Sequence, residues 1–352
     1  MSRRGIIKPG YMRAADLKNG CIEMVHGSGG RAMAQLIHQL FLTAFDNEYL
    51  RKMNDQACFQ SFNGRMVMST DSHVITPLFF PGGDIGSLSV HGTINDIAMS
   101  GAKPCYLAAS FILEEGFPLS DLKRIVDSMA NAAQAAQVPI VTGDTKVVEK
   151  GSGDGVFITT TGIGMVPEGI NISSENARPG DKILVSGTLG DHGIAIMALR
   201  ENLSFHTSII SDTAALHDLV AHMIAAAPDI HVLRDPTRGG VATALNEIAL
   251  QSSVGMMLYE NKLPIREQVY AACEFLGLDP LYIANEGNLI AICTAEDSTN
   301  LLNAMRAHPL GENAAIIGEI LEDTHCFVQM QTRFGGKRVV DWLSGEQLPR
   351  IC

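Results

Sequence analysis

The fold class is decided by the stretch Val138-Pro139-Ile140-Val141-Thr142-Gly143-Asp144-Thr145-Lys146, in which an apolar segment runs directly into a polar one. The apolar segment has the length and composition of a short buried strand. Open α/β sheets bind ligands at the carboxyl ends of such strands. The stretch therefore predicts an α/β fold and a ligand site in which Gly143, Asp144 and Thr145 take part.

The segment before this strand has the periodicity of a helix. Over residues 120–137 apolar residues recur every three or four positions, which predicts an amphipathic helix packed on a core. A chain of 352 residues is longer than one hydrophobic core usually supports. We therefore expect two domains, 1–170 and 171–340, with the junction in a polar segment that contains Pro179-Gly180, followed by a tail over 341–352.

Composition restricts the classes of function. The chain is 46% hydrophobic and 18% charged, with a formal net charge of -12, which argues against a nucleic-acid or anionic-membrane surface because such surfaces need Lys and Arg. Neither a signal peptide nor an apolar run of membrane-spanning length is evident, so we expect a cytoplasmic protein. Seven cysteines with no C-x-x-C pair suggest neither a disulfide framework nor a zinc site.

Three carboxylates stand out by their context. Asp71 ends the predicted strand 65–71, and Asp235 precedes the pair Gly239-Gly240 at a predicted strand-to-helix junction. Asp96 lies in a predicted helix among small and apolar neighbours. Burial of a lone carboxylate is unfavourable unless a cation or a donor meets it. Asp96 is therefore either a surface residue of its helix or a buried ligand, and the sequence leaves both open.

A glycine-rich turn, His26-Gly27-Ser28-Gly29-Gly30, precedes a periodic helix. The backbone N–H groups of such a turn can surround a phosphate group. The stretch lacks the pattern of a P-loop, so an ordinary connection is an equal alternative.

Two further residues stand out by their position. Cys352 ends the chain, where a thiol is open to modification, although an incidental terminal cysteine is the simpler explanation. Glu286 lies between the apolar segments 281–284 and 289–293, which predict a hairpin-like arrangement with Glu286 at its turn. Turn statistics alone would place its carboxylate in solvent.

Several of these motifs together resemble those of the HypE family of nickel-iron hydrogenase maturation factors. That family is part of an ATP-using superfamily with aminoimidazole ribonucleotide synthetase, selenophosphate synthetase and thiamine-monophosphate kinase. The resemblance covers nearly the whole chain, and the terminal cysteine is its specific part. The motifs are Thr70-Asp71-Ser72-His73, Asn95-Asp96-Ile97-Ala98-Met99, Gly143-Asp144-Thr145-Lys146, Asp235-Pro236-Thr237-Arg238-Gly239-Gly240, Asn285-Glu286-Gly287 and Pro349-Arg350-Ile351-Cys352.

The resemblance implies an α/β (α+β) fold of two PurM-like domains, each a mixed sheet backed by helices, with a flexible C-terminal tail. It also implies a homodimer in which the N-terminal sheets meet in a barrel. The implied activity is ATP-dependent dehydration of a carbamoyl group carried on the sulfur of Cys352, which gives a thiocyanate, the source of the cyanide ligands on the hydrogenase iron.

The resemblance also assigns roles to residues. Cys352 is the carrier of the substrate, Glu286 the base that removes protons from nitrogen, and Lys146 its partner, although a purely structural ion pair between Lys146 and Glu286 is an alternative. Magnesium is assigned to Asp71, Asp96 and Asp235. The nucleotide is assigned to Asp71, Asp84, Asp96, Gly143, Asp144 and Thr145, with Gly27, Gly29 and Gly30 folding over the phosphates.

The implied partners are the carbamoyltransferase HypF as donor of the carbamoyl group and a HypC-HypD iron-binding complex as acceptor of the cyanide. Two other functions remain open at this point. A selenophosphate synthetase would use the same aspartates, but its family expects a reactive Cys close to a Lys, and here Cys21 is followed by Ile22 and Glu23. A non-catalytic carrier would bind nucleotide and present Cys352 to partner proteins.

Overall fold

The computed structural model describes residues 15–61, 63–201, 209–343 and 350–352. The predicted tail therefore lies partly outside the described residues, which resume at Arg350. Two main sheets carry the chain, one formed before residue 167 and one after residue 181. The prediction of an α/β fold with two mixed sheets backed by helices is confirmed.

The first half of the chain supplies a four-stranded sheet and two long helices. Its strands lie in the order β1-β6-β4-β5, antiparallel except for the parallel pair β4 and β5. The elements in chain order are a 3-10 helix Met24–Gly27, α1 (Arg31–Leu36), a π-helix Ile37–Phe41, α2 (Leu42–Ala44), a 3-10 helix Leu50–Lys52, β1 (Arg65–His73), β2 (Phe79–Phe80), β3 (Gly83–Asp84), α3 (Ile85–Ala98), β4 (Lys103–Glu114), α4 (Leu119–Ala136), β5 (Ile140–Val148) and β6 (Val156–Val166).

Helices α3 and α4 cover one face of this sheet and bury its apolar residues. Burial alternates along β6, as expected for a sheet with one covered face. The other face carries exposed apolar side chains, and Met66, Met68 and Ile112 retain 51%, 69% and 42% of their accessible surface. In the described part of this single chain, that face has no covering layer.

The strand boundaries differ from prediction at the polar residues. Strand β5 continues to Val148, so Thr142 to Lys146 lie within the strand and not beyond its carboxyl end. Strand β1 likewise extends past Asp71 to His73. Both are edge strands of the sheet, where polar side chains can alternate toward solvent without breaking the ladder, and an apolar run alone therefore marks the strand too short.

The second half of the chain forms a seven-stranded sheet in the order β13-β12-β9-β11-β7-β10-β8, antiparallel except for β12 and β9. The elements are β7 (Lys182–Val185), α5 (Asp191–Arg200), α6 (His217–Ala226), β8 (Ile230–Arg234), α7 (Gly240–Ser252), β9 (Gly255–Tyr259), a 3-10 helix Glu260–Lys262, α8 (Glu267–Leu276), a 3-10 helix Pro280–Tyr282, β10 (Ile290–Cys293), α9 (Ser298–Arg306), a 3-10 helix Pro309–Gly311, β11 (Ala315–Leu321), β12 (Val328–Gln331) and β13 (Lys337–Val339).

The predicted hairpin around Glu286 is wrong. Residues 280–282 form a 3-10 helix, and β10 pairs with β7 and β8 on its two sides. The loop 285–288 is therefore enclosed by the sheet and by neighbouring loops, and Glu286 is only 4% exposed. Turn statistics fail because the packing of distant segments, not the local turn, decides the burial of this loop.

The two halves share a hydrophobic core. Ile194, Ile196 and Ile283 from the second half pack in the same buried cluster as Phe80 and Leu88 of the first half. The same cluster contains the last two residues of the chain, Ile351 and Cys352. None of the helices formed by the described residues is long and apolar enough to cross a membrane.

Candidate active site

The C-terminal cysteine is buried inside the protein. Cys352 is 8% exposed, and Nη2 of Arg238 lies 3.2 Å from its sulfur. Burial, reinforced by the negative charge of Glu286, raises the pKa of the Cys352 thiol to about 11, against the opposing effect of Arg238. The thiol is therefore protonated at neutral pH and shielded from solvent.

The thiol of Cys352 and the predicted acid cluster occupy one region. Asp71 and Glu286 both lie close enough to influence the pKa of Cys352 and of Arg238. Arg238 follows β8 in the loop that opens helix α7, where Asp235 also lies. The last residues of the chain thus reach the aspartates within their own subunit.

The three predicted metal-binding aspartates come from three different elements. Asp71 lies in β1, Asp96 in α3 and Asp235 directly after β8. Asp96 accepts a hydrogen bond of 2.6 Å from the hydroxyl of Ser69. It is thus a half-buried side chain that faces β1, not a carboxylate on the solvated side of its helix.

Charge repulsion connects these aspartates. Burial is the main cause that raises the pKa of Asp235 to about 7, and the negative charge of Asp96 adds to it. Burial also raises the pKa of Asp96, with a contribution from Asp71. Such a cluster of mutually repelling hard oxygen ligands is suited to a cation such as Mg²⁺.

No group of three His, Cys, Asp or Glu side chains among the described residues converges closely enough to hold a metal ion unaided. Mg²⁺ in nucleotide sites keeps several waters and is bound through one or two carboxylates together with phosphate oxygens.

Glu286 is held by its backbone, whereas its carboxyl group is left without a full set of partners. Its N–H donates to Oδ1 of Asp212 at 3.0 Å, and its carbonyl oxygen accepts from Nδ2 of Asn95 at 3.3 Å. The side-chain Oε1 is buried and has no hydrogen-bond partner among the described residues. Burial, and then the negative charge of Asp212, raises the pKa of Glu286 well above its ordinary value.

Lys146 and Glu286 are not brought together in this structure. Nζ of Lys146 lies 2.7 Å from Oδ2 of Asp144, its neighbour on the same side of β5, and the lysine side chain is 65% exposed. Glu286 is buried on another element. The sequence reasoning missed this contact because it placed Asp144 and Lys146 beyond the end of the strand. Both residues lie within β5, where residues two apart share one face.

The comparisons with known proteins bear directly on this arrangement. Two family models match, described as AIR synthase related protein, N-terminal domain, over residues 53–166 and AIR synthase related protein, C-terminal domain, over residues 178–331. Carbamoyl dehydratase HypE of Cupriavidus necator is 69% identical over 349 residues, which is 99% of both chains. The chain belongs to the HypE family.

Solved structures of HypE proteins have the same fold. A HypE in complex with ATP has a TM-score of 0.90 and 50% identity, covering 94% of this chain and 99% of that one. The HypE-HypF complex contains a chain with a TM-score of 0.78 and 52% identity, covering 88% of this chain and 99% of that one. Thiamine-monophosphate kinase from Stenotrophomonas maltophilia, at 18% identity and a TM-score of 0.63, shares the fold.

The residues that the HypE resemblance assigns to the nucleotide lie on the first sheet and beside it. Asp84 begins helix α3, where its Oδ1 accepts a hydrogen bond of 2.9 Å from the N–H of Ser87 and so caps the helix. Gly143, Asp144 and Thr145 border a cavity of about 120 Å³ beneath α1 and the π-helix, and the buried Oγ1 of Thr145 has no described partner.

The glycines of the site occupy their positions for different structural reasons. A Cβ at Gly143 would lie 2.4 Å from the carbonyl oxygen of Ala109, so the close contact of β4 and β5 excludes a larger residue. A Cβ at Gly27 would lie 2.9 Å from Cβ of Val147 on β5. Gly29 has φ +75 and open space around it, and a Cβ at Gly30 would likewise make no close contact. The glycine turn is therefore anchored on β5 at Gly27 and open at Gly29.

Three residues that the sequence reasoning did not assign lie in this candidate site. Asp212 and Asn95 clamp the backbone of Glu286, as described above, and burial raises the pKa of Asp212 to about 6. His73, 1% exposed, places Nε2 3.3 Å from Oδ2 of Asp71. Asn95 and His73 stand in the quoted motifs, and their closeness to Asp96 and Asp71 in the sequence was a signal that could have identified them. No such signal marks Asp212.

Proposed function

We propose that this chain catalyses the ATP-dependent dehydration of an S-carbamoyl group on Cys352 to a thiocyanate. The position of the Cys352 sulfur carries the proposal, because a buried thiol beside Arg238 and within the electrostatic reach of Glu286 and Asp71 is where a carbamoylated cysteine would meet those groups. The names of the HypE relatives, carbamoyl dehydratases, support the same reaction.

The reaction has two bond-breaking stages. The carbamoyl oxygen attacks the γ-phosphorus of ATP and ADP leaves, while the nitrogen loses one proton. The C–O bond then breaks as phosphate departs, and the nitrogen loses its second proton to give S–C≡N. ATP is needed because an amide oxygen is a poor leaving group until it carries a phosphoryl group.

The residues of this chain act by positioning and by proton transfer. Glu286 is the proposed base because its buried Oε1 has no described partner and its carboxyl group lies in the field of the Cys352 thiol. Burial and the charge of Asp212 raise its pKa well above the ordinary value, which makes the carboxylate a stronger proton acceptor than an ordinary glutamate. Arg238 holds the sulfur at 3.2 Å. Lys146 is proposed to approach the site only when it leaves Asp144.

ATP and Mg²⁺ are the proposed cosubstrate and metal. Asp71, Asp96 and Asp235 would hold Mg²⁺, which would neutralise the negative charge of the phosphates. The nucleotide is assigned to the aspartates together with Asp84, Gly143, Asp144, Thr145 and the turn of Gly27, Gly29 and Gly30. A solved HypE in complex with ATP supports nucleotide binding in this family.

The proposed assembly is a homodimer that works with HypF and with HypC-HypD. The uncovered face of the first sheet, with Met66, Met68 and Ile112 exposed, supports pairing of two such sheets because soluble monomers rarely expose large apolar patches. The HypE-HypF complex supports HypF as a partner, and we assign it the role of carbamoyl donor. We further propose that the two domains divide at residue 170 and that the protein works in the cytoplasm.

Mass spectrometry of the C-terminal peptide tests the reaction. The purified chain is carbamoylated by HypF and then incubated with ATP and Mg²⁺, and we expect the peptide to lose one water. The Cys352→Ala variant should take up no carbamoyl group and still bind ATP. An unchanged carbamoyl mass after ATP treatment would identify the chain as a carrier, and loss of ATP binding in the variant would contradict the role of Cys352 as substrate.

A further inference from the structure

The last three residues are bound by groups that take no part in the phosphoryl chemistry. The guanidinium of Arg350 forms an ion pair through Nη1 with Asp154, in the loop between β5 and β6. Its Nε donates to the carbonyl oxygen of Val74 at 3.0 Å. Arg350 has φ +52, a left-handed conformation that non-glycine residues seldom adopt, so these contacts fix an otherwise unfavourable backbone shape.

Ile351 is recognised through both its side chain and its carbonyl group. The side chain is 1% exposed and belongs to the main core cluster. Its carbonyl oxygen lies 2.8 Å from Nε2 of His192, which must carry the proton because a carbonyl only accepts. Nδ1 of His192 therefore accepts from the hydroxyl of Ser211 at 2.7 Å, and the buried ring is fixed in one tautomer.

The backbone of the tail lies along the segment 74–76. The N–H of Val74 donates to an oxygen of the terminal carboxylate of Cys352 at 3.1 Å, and the N–H of Thr76 donates to the carbonyl oxygen of Arg350 at 3.3 Å. Arg200 bridges the tail and the segment 74–76. Its Nε donates to the carbonyl oxygen of Thr76 at 2.5 Å, and its Nη2 donates to the carbonyl oxygen of Arg350. This is a short form of strand addition, in which main-chain bonds give affinity and side-chain pockets give selectivity.

We propose that Asp154, His192 and Arg200 form a tail-recognition subsite that selects a peptide terminus of the form basic residue, aliphatic residue, cysteine. Asp154 selects the positive charge of Arg350, and His192 with the surrounding core selects the buried Ile351. Arg200 fixes the backbone between them. The subsite places the sulfur at Arg238; only the naming of this terminus as a substrate rests on the proposed function.

Alkylation of Cys352 by iodoacetamide reports docking in the full-length chain without ATP or a carbamoyl group. A docked thiol is shielded, so the rate follows the fraction of undocked tail. Cys21 and Cys58 are exposed and calibrate the reagent, whereas the buried Cys273 and Cys293 report loss of the fold in the same digest. In the native chain we expect Cys352 to react at least about 10-fold more slowly than Cys58.

A charge exchange tests the role of Asp154. The pair is partly exposed, and exposed pairs contribute little, so Asp154→Lys and Arg350→Glu should each raise the alkylation rate of Cys352 only about 2- to 5-fold. The double variant restores opposite charges but not the hydrogen bond from Arg350 to Val74, so it should react more slowly than Arg350→Glu alone. Equal rates in the native and single variants, or a double variant that reacts at the product of the two single effects, would overturn the proposal.

Substitution of His192 tests the second contact. His192→Ala leaves the buried carbonyl oxygen of Ile351 without a donor, which should raise the alkylation rate about 5- to 100-fold. The rates of the buried Cys273 and Cys293 must stay unchanged, because a general loss of fold would expose both thiols. A native rate at Cys352 in this variant would remove His192 from the subsite.

The two proposals fail separately. If the variants lose protection of Cys352 as expected but the native carbamoylated chain forms no thiocyanate, the proposed function fails and the subsite stands. If the native chain forms thiocyanate but its Cys352 is alkylated as fast as Cys58, the subsite fails and the reaction stands.

Discussion

A methyl group at Gly287 should disrupt the clamp on Glu286. The Cβ of an alanine at this position would lie 1.7 Å from the carbonyl oxygen of Asp212 and 3.1 Å from the nitrogen of Ala214. Contacts below about 3.0 Å are essentially never seen, so the segment 212–214 would have to move by about 1.3 Å. That movement breaks the 3.0 Å hydrogen bond from the N–H of Glu286 to Asp212.

The expected loss follows from these two effects. Overpacking destabilises by about 1–3 kcal/mol, and loss of a hydrogen bond to a carboxylate by about 1.5–3 kcal/mol. We therefore expect Gly287→Ala to lower the free energy of unfolding by about 2.5–6 kcal/mol. The midpoint of urea unfolding measures this loss, and the rate of water loss from the carbamoylated peptide measures the misplacement of Glu286.

Gly187→Ala is the matched control for this prediction. Its Cβ would meet only side-chain atoms of Asn288, at 3.5–3.8 Å, which is ordinary van der Waals contact. This variant should unfold and react as the native chain does. Unfolding of Gly287→Ala at the native urea concentration, with a native rate, would refute the account of the clamp.

Three other outcomes are expected. Ile351→Ala removes most of a buried side chain, which is worth about 2–5 kcal/mol, and should raise the alkylation rate of Cys352 at least about 30-fold, whereas Ile351→Val should change it about 2- to 10-fold; similar rates in both would contradict the buried position. Because docking raises the thiol pKa from 9.0 to about 11, docking is fully favoured below pH 9 and is weakened by up to about 2.7 kcal/mol as the pH rises from 9 to 11. Alkylation of Cys352 should therefore keep accelerating across that window, and a rate that stops rising at its lower end would oppose this. Glu286→Gln should retain ATP binding, measured by calorimetry, and slow water loss at least about 100-fold if Glu286 is the base; native turnover would remove it from that role.

The predicted fold was obtained mainly from local patterns, and these patterns explain both its successes and its errors. The amphipathic stripe over 120–137 corresponds to α4, at Leu119–Ala136, because helical periodicity reports which face meets a core. Asp235 was correctly placed between a strand and a helix. Strands β1 and β5 were predicted too short because a polar side chain on an edge strand looks like the end of the strand.

By itself the sequence determined the order of most elements and the family, and it singled out Asp71, Asp96 and Asp235 as candidate site carboxylates. All of these depend on residue types at short spacing. Only the tertiary structure decided that Glu286 is buried, that Asp212 and Asn95 hold it, and that Arg350, Ile351 and Cys352 dock beside Val74. The residues joined by these contacts are separated along the chain by 74, 191 and 276 positions. Burial and partner choice at such separations depend on how sheets and loops pack together, which no local pattern of residues records.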